Sequence, residues 1–362
     1  MTKTKIRFSS KINRAFVAEL RQNAKSYFDD NQLSKYGNFN LVIKSIFMGL
    51  LYLLPFILML SGVVSNLGLV LVAWTIMGMG MAGIGMVLMH DANHGAFSKR
   101  SWLNNLLSKS MYFIGGYPAN WRHQHNTLHH GFTNIDGHDE DIDPVGIVRI
   151  SPHKPLKKIH RFQHLYAWLL YGLMTISWAS YRDFKQLFFY TKDASFKKGS
   201  RSTFFLFLDL TFAKIIYFGV FLALPIILIP VAWYWVVLGF VLMHFVCGFI
   251  LAIIFQTAHV MPTVAYPLPN AEGEMETNWA IHQLMTTTNY APKSRIFSWF
   301  IGGLNYQVEH HLFPQISHVH YDKLAKIVKA TAEKYQIPYY VETTFFTALK
   351  KHYQMLRTLG RA

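Results

Sequence analysis

One cysteine, Cys247, is the whole thiol content of this 362-residue chain. No disulfide framework can form from it, and no cysteine-held zinc or iron–sulfur site can be built. Charge is missing from two long stretches: Ser45 through His90 contains no Asp, Glu, Lys or Arg, and neither does Ile215 through Ala258. A membrane crossing needs only ~20 apolar residues, so each run reads as a helical hairpin that crosses and returns. A soluble hairpin of this length without one charge would be exceptional. The sequence also lacks strand-rich regions and internal repeats. The basic opening "MTKTKIRFSSKINRAF" has no apolar core for a signal peptide, so insertion is expected to use the first hairpin as an uncleaved signal.

What is present fits that picture. Apolar residues make up 52% of the chain and aromatics 16%, and the mean hydropathy is positive. All 35 Lys and Arg residues fall up to Lys44, from Lys99 to Lys214, or from Lys293 onward. The positive-inside rule puts these segments on the cytoplasmic side. The expected fold is an all-α integral membrane protein with four transmembrane helices in two hairpins and a cytoplasmic helical cap. Both termini lie inside, in a bacterial inner membrane or, in a eukaryote, the endoplasmic reticulum. As a single functional domain it divides into 1–44, hairpin 45–90, 91–213, hairpin 214–259 and 260–362. Ser65-Asn66 and Pro230 mark the hairpin tips. Trp233 and Trp235 near the second tip suit either an interfacial belt or a packed core.

The segment from Asp91 to about Ala213 is too long for a loop. Its apolar patches "WLNNLLSKSMYFIGGY" and "FQHLYAWLLYGLMTISWASY" read as helices in or near the interface. Phe16, Val17, Leu20, Ala24, Tyr27 and Phe28 recur near helical spacing and predict a surface helix, with a solvated basic tail as the alternative. "YDKLAKIVKATAEKYQ" predicts a further amphipathic helix. Glycines 78, 80, 83 and 85 predict close helix approach, with room for a slim apolar substrate as the alternative.

Eighteen histidines is a high count, and their placement carries the functional reading. His90 and His94 bracket "HDANH" where the first hairpin returns. His125, His129 and His130 form "HNTLHH". His259 ends the second hairpin, and His310 and His311 lie in "QVEHH". Spacings of i, i+4 put His90/His94 and His125/His129 on common helix faces. Neutral imidazoles can converge on a metal without burying much charge. Eight nitrogen ligands are too many for one tetrahedral zinc and about right for two metals. With few thiols and few intramembrane carboxylates, a histidine-rich dinuclear iron centre is the natural inference.

These three motifs resemble the histidine boxes of the membrane fatty acyl desaturases, over roughly Leu88 to Tyr321. The resemblance includes "HHGFTNIDGHDEDIDP" after the second box and "GGLNYQVEHHLFP" around the third. A glutamine opening the third box is similar to the front-end group, whose members insert a double bond between an existing one and the carboxyl end. The resemblance implies O2-dependent desaturation at two irons held by His90, His94, His125, His129, His130, His310 and His311, with His259 as an extra ligand. Gln307, a histidine position in other branches, is placed near the metal. Asp91, Asp139, Asp141, Asp143 and Glu309 could orient imidazoles, or serve as caps and solvated charges. His282 is a further candidate for lining the site.

Other histidines are read blandly: His123 as exposed or outer-sphere, His244 as bonded to a neighbouring helix, and His138, His153, His160, His164, His318, His320 and His352 as surface residues. No His-Pro-Gly-Gly haem motif occurs among the 362 residues. No haem is therefore expected, and electrons should come from a separate ferredoxin, flavodoxin or cytochrome b5. The net charge of +16 would attract acidic redox proteins, lipid phosphates or CoA. The fatty acyl substrate could ride on CoA, a carrier protein or a glycerolipid. Membrane lipid is an expected partner and nucleic acid is not. A hydroxylase with the same boxes is the alternative activity, followed by a histidine-rich metal carrier.

Overall fold

Among the described residues, four helices long and apolar enough to cross a membrane span Phe39–Leu60, Leu67–Asn93, Thr203–Leu228 and Trp233–His259. The structure, a computed structural model, describes residues 6–143, 146–197 and 202–362. Residues 1–5 of the basic opening and residue 144 of the stretch after the second box lie outside them. Residues 38–125 with 167–253 form one compact unit; residues up to 37, 126–166 and 254–362 form the other.

In the first unit, side-chain capping starts both helices of the first hairpin. Asn38 accepts from the Leu41 amide and Asn66 from the Gly68 amide, satisfying donors that a helix start leaves open. The first and third helices are the outer pair, with 28% of their most apolar windows buried, against 56% in the second helix. Phe39, Ile46, Leu50 and Ile57 remain exposed along the first, the surface a lipid-facing helix presents. Trp233 is likewise exposed, near the second tip, as an interfacial belt residue would be.

Glycine decides how closely these helices approach. A β-carbon on Gly80 would lie 2.5 Å from the Tyr52 nitrogen, and one on Gly78 2.6 Å from the Met243 oxygen. Neither neighbour is a movable side-chain tip, so both positions need glycine for packing.

The third spanning helix begins at Thr203 rather than near 214, and so contains Asp209 and Lys214. Partners make these charges tolerable. Asp209 accepts hydrogen bonds from Tyr112 (3.1 Å) and Tyr117 (3.0 Å). Lys214 donates to Asp183 at 2.5 Å and to the carbonyls of Gly115 and Trp178. Asn120 in turn donates to the Asp183 carbonyl. Lys214→Met strands a buried carboxylate and should cost ~3–5 kcal/mol of stability, measured by denaturant unfolding in micelles. Adding Asp183→Asn should recover part of that loss. A Lys214→Met protein as stable as the parent would show that the pair holds nothing together.

The second unit is built around the N-terminal helix Arg14–Asp30, which packs against Tyr321–Lys334. Phe16 and Leu20 join Ile281, Leu284, Val308, Leu312 and Val328 in one apolar core. The predicted amphipathic face is thus spent on protein packing. Two short parallel strand pairs, Arg7–Phe8 with Glu274–Met275 and Thr288–Tyr290 with Tyr340–Glu342, complete the unit. That core sets the helices Trp279–Thr286 and Gln307–Leu312, which carry the groups described next.

Candidate metal centre

In the first unit the end of the second spanning helix opens into a π-helical turn over Ile84–Met89, directly before His90. Such turns recur at functional sites because they re-aim side chains. The rings of His90, His94 and His125 converge there, with centroids 4.7 Å apart for His90/His94, 5.4 Å for His90/His125 and 5.1 Å for His94/His125. Trp121 stacks on His125 at 4.3 Å. Arg122 donates from Nε to Asn93 Oδ1 at 2.7 Å, tying the start of the π-helix Arg122–His129 to "HDANH". Asp91 is buried, but its carboxylate is 3.8 Å from His90 Nδ1, too far for a hydrogen bond.

In the second unit His129, His259 and His311 form a second triangle. Their ring centroids lie 4.7–4.9 Å apart, and one ligand nitrogen from each falls within 4.8 Å of the others. The Nδ1 atoms fix the tautomers. His259 Nδ1 faces the Thr286 carbonyl at 3.2 Å, and a carbonyl can only accept. His311 Nδ1 faces Gln283 Oε1 at 2.8 Å. His129 Nδ1 faces Asp139 at 3.1 Å and Asp141 at 3.3 Å. Each Nδ1 therefore carries a proton, and in the neutral rings each Nε2 carries a lone pair.

His311 Nε2 and His259 Nε2 lie 3.2 Å apart. Two lone pairs facing each other at that distance repel unless a cation lies between them. Two nitrogens on one ion at ~2.1 Å would be roughly 3.0–3.4 Å apart. The donor set thus fits a bound metal, and imidazole suits iron as well as zinc, copper or nickel. Beside this triangle His130 Nε2 meets His310 Nε2 at 3.0 Å, while His310 Nδ1 faces the Tyr321 hydroxyl at 3.2 Å.

The surrounding charge has physical causes. Burial alone would lower the His129 pKa, but the Asp139 and Asp141 carboxylates lift it to about 9. Burial would raise Asp139, yet His129 and the amides of Asn134 and Asp141 hold it below the usual carboxylate range. Burial pushes Glu309 up to about 7 against hydrogen bonds from Asn289 and Tyr339. Glu309 does not orient an imidazole; Asn289 (2.7 Å) and Tyr339 (2.9 Å) occupy its oxygens. Asp143, half-exposed, pairs with Lys154 at 3.1 Å. Gln307 is fully buried beside His259, and neither amide atom makes a well-formed hydrogen bond among the described residues. A buried amide left in that state is costly unless a ligand or water meets it.

His282 belongs to neither triangle. Its Nε2 donates to the Thr133 carbonyl at 2.7 Å, and burial lowers its pKa to about 4, so the ring stays neutral. Several histidines read as surface residues are buried instead. His352 meets the Val260 carbonyl through Nδ1, and His160 meets Gly146 through Nε2. His164 packs edge-on against Tyr353 and His320 against Phe28, and His318 is also buried. A histidine that satisfies a backbone carbonyl can sit in a core, which spacing alone does not reveal. His123 is buried near Asp193 and Tyr190, whereas His153 is exposed and His138 half-exposed. His244 bonds Tyr217 and Thr175 of neighbouring helices, as expected.

Sequence reading missed Arg122, Asn93, Thr133 and Gln283. A signal for the last existed. Trp279, Gln283 and Thr286 recur at i, i+4, i+7 in "WAIHQLMT", and Gln283 and Thr286 lie away from Ile281 and Leu284, which enter the core.

A sequence model described as fatty acid desaturase matches residues 66–343. An sn-1 linoleoyl-lipid 6-desaturase of Synechocystis sp. is 32% identical, the match covering 100% of this chain and 99% of that protein. A protein of the same description from Arthrospira platensis is 30% identical, over 99% of this chain and 96% of that one. An acyl-lipid (8-3)-desaturase of Physcomitrium patens is 32% identical, over 99% and 74% respectively.

Proposed function

The chain belongs to the fatty acid desaturase family and is a fatty acyl desaturase; on that premise we propose that it is a front-end enzyme acting on glycerolipid-linked acyl chains. His129, His259 and His311 hold one iron, His90, His94 and His125 the other, and His130 and His310 complete the ligand set. The observation that carries the site is the facing pair of Nε2 atoms on His259 and His311, whose Nδ1 protons are committed elsewhere. Iron bound there supplies O2 reduction and removal of two hydrogens from an unactivated acyl chain, which no side chain can do.

The chain's own residues prepare that site. Asp139 keeps the His129 proton on Nδ1, and the Thr286 carbonyl does the same for His259. Holding the proton on the outer nitrogen fixes ring orientation and raises ligand basicity. Gln307, buried beside His259 with neither amide atom well bonded, would be available to a group bound there.

Two features support the front-end, lipid-linked reading: the glutamine that opens the third box, and relatives named as 6- and (8-3)-desaturases of acyl-lipids. The Lys and Arg distribution puts the histidines on the cytoplasmic side, within reach of a soluble electron carrier of the ferredoxin, flavodoxin or cytochrome b5 type. The test is expression in a host fed linoleate, with new double bonds located by mass spectrometry in each lipid class. The expected product carries a new double bond on the carboxyl side of the existing one, first in glycerolipid. A methyl-side double bond would overturn the front-end assignment, and product appearing first in acyl-CoA would overturn the lipid assignment.

A further inference from the structure

The helix Trp279–Thr286 supplies no candidate ligand, yet four of its groups reach the ligand-bearing segments. Trp279 Nε1 donates to the His130 carbonyl at 3.0 Å, and His282 Nε2 to the Thr133 carbonyl at 2.7 Å. The Thr286 carbonyl meets His259 Nδ1 at 3.2 Å. Gln283, fully buried, touches three groups at once. Its Nε2 lies 3.2 Å from the His130 carbonyl, and its Oε1 lies 2.9 Å from Thr133 Oγ1 and 2.8 Å from His311 Nδ1.

These contacts decide the orientation of the amide. The His130 carbonyl can only accept, so the amide nitrogen must face it. The oxygen then faces His311, whose Nδ1 must carry the ring proton. Turned the other way, the amide would set oxygen against oxygen and push the His311 proton onto Nε2, the atom aimed at His259. One residue thereby links the turn carrying His129 and His130 to the tautomer of His311.

We infer that Gln283 is a positioning residue that sets the His311 tautomer and locks the second histidine motif to the third. This rests on the reading that His129, His259 and His311 hold an ion. Thr133 supports it from the other side, its hydroxyl also lying 2.7 Å from the His129 carbonyl and 3.3 Å from His311 Nδ1. An apolar residue of equal volume removes the 2.8 Å acceptor of His311 Nδ1 and leaves it the longer contact to the Thr133 hydroxyl at 3.3 Å.

The test compares Gln283→Leu with Gln283→Glu. Both lose the donor to His130 and should destabilise the metal-free protein by similar amounts. Only glutamate keeps the close side-chain oxygen against His311 Nδ1. Iron retained per chain across a chelator titration should show an affinity for Gln283→Leu roughly 10- to 100-fold below the parent. The Mössbauer spectrum of that variant should be heterogeneous. Gln283→Glu should restore at least tenfold of the loss and a single spectrum. Should the leucine variant not be recovered, Gln283→Met is a second acceptor-free substitution with the same expectation. Equal iron loss in the glutamate and acceptor-free variants, or parental retention in the latter, overturns the inference. If His311→Ala keeps the parental iron content, the metal reading itself fails, a result distinguishable from either.

Discussion

His311→Ala should make no detectable desaturated product while still inserting normally, and should keep about half the iron of the parent. The magnitude follows from what the ring supplies. Removing an outer-sphere partner of a metal ligand typically costs roughly 10- to 100-fold; removing the ligand itself must exceed that. His129, His259 and His311 present three nitrogens within 4.8 Å, and two do not hold an ion against a chelating buffer. The other triangle takes His90 and His94 from the end of the second spanning helix; it shares only the π-helix Arg122–His129 with the first, through His125, and should keep its ion. His90→Ala gives the mirror experiment. His160→Asn is the control for a buried histidine outside both triangles, since His160 meets backbone at Gly146 and Lys157. Its activity per folded molecule should match the parent. Iron by mass spectrometry and product by gas chromatography read all three. Full activity in His311→Ala would remove that residue from the ligand set.

Much of this was legible in the sequence because the signals are local. A run without charge reports a membrane span wherever it folds, and i, i+4 histidines report a shared face. The failures arose where long-range partners decide. The uncharged run Ile215–Ala258 sets the second hairpin at 214–259, whereas the third spanning helix begins at Thr203 and takes in Asp209 as well as Lys214. Two tyrosines and Asp183 make these charges compatible with a membrane, and none is near in sequence. His125 and His129 share a helix and bring their ligand atoms within 4.8 Å, as their spacing implies, but each also closes a triangle with histidines more than thirty residues away in the chain. The tautomers depend on Gln283, Thr286 and Asp139, which acquire roles only once the chain is folded. In the sequence Asp139 is one acidic residue among several beside the boxes; only the fold makes it hold His129 while Asp143 pairs with Lys154.

Stripping the metal should expose a pH dependence whose sign is fixed by the His129–Asp139 pair. In metal-free protein His129 stays protonated up to about pH 9, so an entering ion must displace that proton. Apparent iron affinity should therefore fall about tenfold for each unit between about pH 8.5 and 7. The stability of the metal-free fold should run the other way. His129 has a folded pKa raised above its unfolded value, so its contribution is fully present below about pH 6.5 and lost as pH rises through about 9. Asp139→Asn separates the two effects. At pH 9 the variant should bind iron roughly 10- to 100-fold more weakly, because the ring loses its carboxylate partner. Towards pH 7 the gap should narrow, because the variant has less of a proton to displace, with Asp141 at 3.3 Å retaining part of the shift. Anaerobic ferrous reloading against a competing chelator, followed across pH in both proteins, measures this directly. Two parallel curves with a constant offset would mean that Asp139 does not set the His129 proton, and that the raised pKa belongs to Asp141.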